Sequence, residues 1–167
     1  MRVPVLAPDG TPLMPTTPSR CRRWLRDGKA KVVHNDLNVF YIQLLIEPSS
    51  RETQDVVLGL DPGKLFSGIG LVSAKATLFL AHLVLPFKSV TKKMTCRRIL
   101  RRARRGRRIN RKIAFSLRAH RQKRFSNRRQ GKLPPSIRAN KQLELRVVKE
   151  ILMLFPVSQI VVRSNQS

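Results

Sequence analysis

Between residues 62 and 143 the chain carries no Asp or Glu, and residues 97–129 inside that span hold sixteen Arg and Lys side chains. Nothing nearby in the sequence neutralises them. Written as a helix from about residue 95 to 117, the run sets positive charges at many i, i+3 and i, i+4 positions, where like charges repel. Alone, that helix should fray. A polyphosphate laid along it reverses the sign of those terms, because each phosphate contact releases condensed counterions. The sequence therefore implies a nucleic-acid strand as partner, with Arg97, Arg98, Arg101, Arg102, Arg104, Arg105, Arg107, Arg108, Arg111, Lys112, Arg121 and Arg124 as the candidate phosphate contacts. Basic runs elsewhere serve as localisation signals or solvated tails. This one lies mid-chain between apolar segments and has its own thin apolar line: Ile99, Ala103, Gly106, Ile109 or Asn110, Ile113 and Leu117. The line is narrower than the stripe of an ordinary amphipathic helix. It suits a helix that touches protein on one side and nucleic acid on the others.

Size and charge narrow the partners further. With 167 residues and a net charge of +26, the chain has room for one ordinary domain or two small ones, and it favours nucleic acid over acidic substrates or a membrane. No apolar run reaches membrane-span length and no N-terminal signal segment is present, so a cytoplasmic protein is expected. Cys21, Cys96, His34, His82 and His120 are scattered, which gives no zinc-ligand spacing, and both cysteines read as small buried hydrophobes. Aromatic residues make up 5% of the chain, too few for base stacking to be the main mode of binding.

Residues 1–46 read as a β-α-β-β unit. Val3 and Val5 begin a short strand that reverses at Pro8-Asp9-Gly10. Thr17-Pro18 starts a helix that Asp27-Gly28 stops, with Trp24 and Leu25 facing inward. Arg20, Arg22, Arg23 and Arg26 on its surface are a second candidate phosphate contact. Strands follow over residues 30–33 and 39–46, and residues 47–55 form a polar linker.

Val56 to Leu60 is a continuous apolar run, the pattern of a strand buried on both faces, and it ends at Asp61-Pro62-Gly63. A carboxylate at the end of a buried strand is a candidate catalytic group and Mg²⁺ ligand, since Mg²⁺ takes hard oxygen donors. Asp-Pro-Gly is also a common turn. Residues 67–73 and 77–85 complete a three-stranded meander. After the basic stretch, Pro134-Pro135-Ser136 opens a helix over residues 137–155, with apolar residues at Leu145, Val148, Leu152 and Phe155 and again at Val147, Ile151 and Leu154. Gln159 to Val162 is one more strand. The order β-β-β-α-β is the opening of an RNase H-like fold, in which the strand after the helix lies beside the first.

Four landmarks occur in order: Pro12-Leu13-Met14-Pro15, Leu58-Gly59-Leu60-Asp61-Pro62-Gly63, Arg97-Arg98-Ile99-Leu100-Arg101-Arg102 and Leu133-Pro134-Pro135-Ser136. Together they resemble the N-terminal half of the IscB-type, transposon-associated RNA-guided nucleases, the RRXRR/PLMP-domain, RuvC-containing relatives of the large CRISPR nucleases. The resemblance implies an α/β fold: a small β-α-β-β PLMP-like unit, then a truncated RNase H-like (RuvC) sheet interrupted by a long Arg-rich bridge helix. It divides the chain into a PLMP-like RNA-binding unit (residues 1–46), a linker (47–55), a first RuvC-like segment (56–91), the bridge helix with a basic extension (92–132), and a helix with a truncated second RuvC-like segment (133–167). Asp61 would be the first RuvC metal ligand, and a guide-like structured RNA the partner, with DNA as a further one.

The departures from that pattern bear on activity. Where the family ends its next strand with a second carboxylate, this chain has Arg163, followed by Ser164-Asn165-Gln166-Ser167, so against the family's pattern it is expected to lack the HNH domain and the third RuvC segment. Two-metal hydrolysis needs several ligands. An arginine beside Asp61 is expected to pair with it and displace a cation, so Mg²⁺ is expected only where a complete site is assembled. The change of character after Val162 implies a frameshift or a short form, acting as a monomer or a complementing fragment. Three functions stay open: a non-cleaving guide-RNA-binding protein, a Mg²⁺-dependent endonuclease or nickase working with RNA or with separately encoded parts, and a general RNA-binding structural protein.

Overall fold

The computed structural model describes residues 2–107, 110–117 and 132–163. It is a mixed α/β structure whose contacts divide into two compact units, one of Met1–Leu85 with Lys141–Ser167 and the other of Pro86–Asn140. Among the described residues, no helix is long and apolar enough to cross a membrane.

The first unit opens with β1 (Val3–Leu6), β2 (Pro12–Thr16), α1 (Pro18–Arg26), β3 (Ala30–His34) and β4 (Phe40–Leu44). The strands form one mixed sheet in the order β2-β1-β4-β3, with β1 and β4 parallel and the other neighbours antiparallel. The Pro-Leu-Met-Pro stretch therefore forms a strand where the sequence predicts none, making the unit β-β-α-β-β. Prolines argue against a strand because they cannot donate to the ladder, and here the sheet tolerates them because β2 lies at its edge. Thr17 caps α1 by accepting the Arg20 N–H, and Gly28 ends the turn beyond it in the left-handed region that glycine enters freely (φ +66°). Cys21 is buried from α1 among Val5, Ala7, Leu13, Ala30, Ile42 and Leu44, with Trp24 and Leu25 packed alongside.

A second sheet follows: β5 (Val56–Asp61), β6 (Phe66–Ser73), β7 (Ala76–Val84) and, from the end of the chain, β8 (Gln159–Val162), in the order β7-β6-β5-β8. Strand β8 runs parallel to β5, the place expected for a strand that follows a crossover helix. Ser158 fixes the pairing, since its Oγ accepts the Val56 N–H and donates to the Val56 carbonyl, each at 3.1 Å. That helix is α3 (Pro135–Leu154), whose Val147, Ile151, Leu154 and the following Phe155 pack on Val56, Leu58, Ile69, Leu71 and Leu78. Leu145, read from the sequence as part of this stripe, is 60% exposed. At about 100° per residue it lies nearly opposite Val147.

The first sheet reaches the same helix. Asn35 in the β3–β4 turn accepts the Leu37 and Val39 N–H groups on its Oδ1 and donates from Nδ2 to Glu150 of α3 at 3.3 Å. Asp36 pairs with Arg146 at 2.8 Å.

Two further expectations are corrected. β5 buries Val56 and Leu58 against α3, whereas Val57 and Gly59 are only half-buried and Asp61 is exposed, so one face of the central strand is covered and the other is open. In the second unit the basic helix, α2, runs Phe87–Arg107 instead of residues 95–117. It begins eight residues early because Pro86, which cannot continue a strand ladder, starts the helix, with Val90 donating to the Pro86 carbonyl. It is over before Asn110, whose side chain accepts the Lys112 N–H in a turn that competes with the helical ladder. Residues 115–117 then form a short 3-10 turn.

Candidate nucleic-acid interface

Helix α2 has no acidic residue along its length. Arg97, Arg98, Arg101, Arg102, Arg104 and Arg107 are all exposed. At about 100° per residue, these six span roughly 220° of the helix circumference, and Ile99, Ala103 and Gly106 share the remaining arc. The thin apolar line and the broad basic surface expected from the sequence thus lie on opposite sides, although Ile113 and Leu117 fall beyond the helix. Among the described residues no carboxylate pairs with these six arginines. Arg101 Nε donates to the Arg97 carbonyl at 3.2 Å. Arg111 and Lys112 are exposed in the turn after the helix. Arg108, Arg121, Arg124 and residues 164–167 lie outside the described residues, as does the side chain of Arg105. Cys96, expected to be buried, is exposed on α2.

In the first unit, α1 presents Arg20, Arg22, Arg23 and Arg26 to solvent. The Arg20 guanidinium lies over the Trp24 ring, 5.2 Å from its centroid, which holds the planar group in place with its donors still outward. A Trp four residues after an Arg on a short helix was the available signal for this contact. Arg26 also lies 3.5 Å from Asp27.

Asp61 ends β5 at the open face of the second sheet, paired across to Gly68, which pairs in turn with His82. The turn after it is built tightly. A Cβ at Gly63 would run into the Phe66 carbonyl, so only glycine fits there. The Gly63 N–H donates to Ser67 Oγ at 3.2 Å, and Ser67, 1% exposed, donates to Glu144 Oε1 of α3 at 2.5 Å. Glu144, itself buried, also takes the Lys141 ammonium at 2.9 Å. No local pattern in the sequence foretells this support, because Ser67 and Glu144 stand 77 residues apart.

The group facing Asp61 is the one expected from the sequence. Arg163 Nη1 lies 3.6 Å from Asp61 Oδ2, and the Arg163 N–H donates to the Leu60 carbonyl at 2.9 Å. Both side chains are more than half exposed, so the pair contributes at most about 1 kcal/mol. Its chemical effect is larger than its energy, since a guanidinium fills the place beside the carboxylate that a cation would take. Mg²⁺ requires near-octahedral oxygen coordination. With Gly68, His82 and Arg163 around a single carboxylate, the described residues do not by themselves fit that ion. Among the described residues there is no group of three or more His, Cys, Asp or Glu able to hold a metal.

The arrangement can therefore bind anions along α2 and α1, and it holds one exposed carboxylate, salt-bridged, at a strand end. No curated protein matches the chain. The family described as RRXRR protein matches residues 3–166. The match covers nearly every residue, and the chain belongs to the RRXRR protein family.

Proposed function

We propose that this RRXRR protein binds a structured, guide-like RNA by its phosphate backbone, with α2 as the bridge helix and α1 as a second contact, and that it does not cut nucleic acid by itself. The observation that carries this reading is the α2 surface: about 220° of exposed arginine on a helix with no acidic residue. Such a surface gains little from protein packing and much from a polyanion. Backbone contact without base readout is what a guide-dependent protein requires, since base pairing supplies the sequence information. The β7-β6-β5-β8 order, with Asp61 at the end of the central strand, supports a RuvC-like, RNase H-like ancestry for the second sheet.

The test is to purify the protein without nuclease treatment and sequence the RNA that accompanies it. One discrete, folded species is expected. A broad mixture of cellular RNA would favour a general RNA-binding protein instead.

The placement of Asp61 in an open cleft supports a second reading, Mg²⁺-dependent cleavage of DNA once other parts are supplied. In that reading Asp61→Ala abolishes cutting in a reconstituted mixture and leaves RNA retention unchanged. Absence of cutting by the wild type in every such mixture removes it.

A further inference from the structure

In the first sheet, Ala30, Val32 and His34 of β3 pair across to Leu44, Ile42 and Phe40 of β4, and alternation along the strands puts all six on one face. Helix α1 covers one end of that face. Its Cys21 is buried with Ala30, Ile42 and Leu44, but its nine residues span only about 14 Å. At the other end the face stays open: Val32 is 45% exposed, Phe40 is 42% exposed, and His34 is exposed as well. The His34 and Phe40 rings meet edge to face, with 6.2 Å between centroids and 63° between planes, a contact that uses at most one face of each ring.

The turn that carries this pair is pinned. Asn35 Oδ1 accepts the Leu37 and Val39 N–H groups, the Asn35 carbonyl accepts the Asn38 N–H at 2.9 Å, and Asn35 Nδ2 ties the turn to Glu150. Asn38 completes the turn in the left-handed region (φ 56°), which asparagine enters more readily than most residues. The two rings are thus set in place before anything arrives, and that removes an ordering cost from binding.

The groups around the rings say what lies on them. Arg20 and Arg22 stand about 100° to either side of the inward-facing Cys21, so they flank α1 above this same face, and both are exposed. Arg20 is already held over Trp24 with its donors outward. Along β3, Val32 lies one two-residue step beyond the covered Ala30, about 7 Å, and His34 lies two steps beyond it. Three apolar or aromatic side chains are too small an area for a folded protein partner. Flat rings beside cations instead match single-stranded RNA, whose bases stack on aromatic side chains while its phosphates meet basic ones. We propose that Phe40, with His34 beside it, stacks an unpaired base of the bound RNA, and that Arg20 and Arg22 take the flanking phosphates. The inference rests on the RNA-binding reading above and adds one base contact to it. That contact is indifferent to sequence, because every base presents a π face.

The experiment uses the full chain and a single-stranded RNA of about twelve 5-iodouridines, a base that cross-links to a stacked aromatic ring under long-wavelength light. The same strand annealed to oligoadenosine is the comparison, since its bases are paired. With the single strand, the adduct is expected on Phe40 or His34, within the tryptic peptide that runs from Val32 to Arg51. Phe40→Leu, which keeps apolar bulk and removes the ring, should weaken single-strand binding about fivefold or more and lose the adduct. Phe40→Tyr should keep both. Neither change should alter the slope of log affinity against log salt, whereas replacing Arg20 and Arg22 with Gln should flatten it by about 1–2. The proposal is overturned if the adduct forms only on other residues, if Phe40→Leu binds the single strand like the wild type, or if that variant loses as much affinity for the duplex. It also fails if sedimentation finds a wild-type dimer that Phe40→Leu converts to monomer, because a second copy would then cover the rings. A wild type that binds neither strand removes the RNA-binding reading and the stacking site with it, so the two failures are told apart.

Discussion

Arg51 joins two carboxylates from separate parts of the chain, Asp9 at 2.7 Å and Glu47 at 3.0 Å. The Thr11 backbone N–H, and after it the Arg51 guanidinium, hold the Asp9 carboxyl down at about 2, against an ordinary value of 3.8. A carboxyl depressed in the folded state stabilises the fold above its ordinary value, and that contribution is lost as pH falls from 3.8 through about 2. The Asp9 resonance in an NMR titration should show its midpoint near 2, and Arg51→Ala should raise it toward the ordinary value; a midpoint unmoved by that substitution would contradict the contact. Glycines give a paired comparison at the same scale. Gly63→Ala forces a Cβ into the Phe66 carbonyl and should cost about 1–3 kcal/mol in denaturant unfolding. Gly59→Ala meets nothing closer than the Gly70 carbonyl at 3.9 Å, an ordinary contact, and should be neutral or stabilising by roughly 0.5–1 kcal/mol.

Among the elements, α3 gives the clearest comparison between pattern and burial. Ile151 is 1% exposed in the core beneath the second sheet, and Ile151→Ala should cost about 2–5 kcal/mol. Leu145→Ala, on the outward side of the same helix, should stay within about 0.5 kcal/mol. Chemical denaturation of the two variants measures both. Helices α1 and α3 and strands β5 to β8 were legible because capping residues and apolar period fix them locally. Strand β2 was hidden by its prolines, whose cost depends on an edge position that no local pattern reveals. The bounds of α2 were hidden for a different reason: a run of arginines has good helix propensity throughout, so it marks neither end. Asp61 and its Arg163 neighbour could be read from strand order, but the Ser67–Glu144 support could not, because it depends on how α3 packs on β6. The open face of β5 was misread because a continuous apolar run reports a strand's capacity for burial, and not whether a second layer is present.

At the scale of the whole molecule, 35 Lys and Arg stand against 9 Asp and Glu. Self-repulsion of that size destabilises a compact chain, and added salt screens it. RNA-free protein should therefore melt at a higher temperature as ionic strength rises, and RNA should raise the melting temperature further by mass action. A melting temperature that falls with salt would mean that internal ion pairs outweigh the repulsion. If the α2 arginines meet a phosphate backbone, RNA binding must weaken steeply as salt rises. For wild-type protein the plot of log affinity against log salt should fall with a slope of about −7 to −9 if ten phosphates are contacted. Replacing Arg97, Arg98, Arg101 and Arg102 with Gln should flatten that slope by about 3. A shallow slope in the wild type, or one that the four substitutions leave unchanged, would contradict the account.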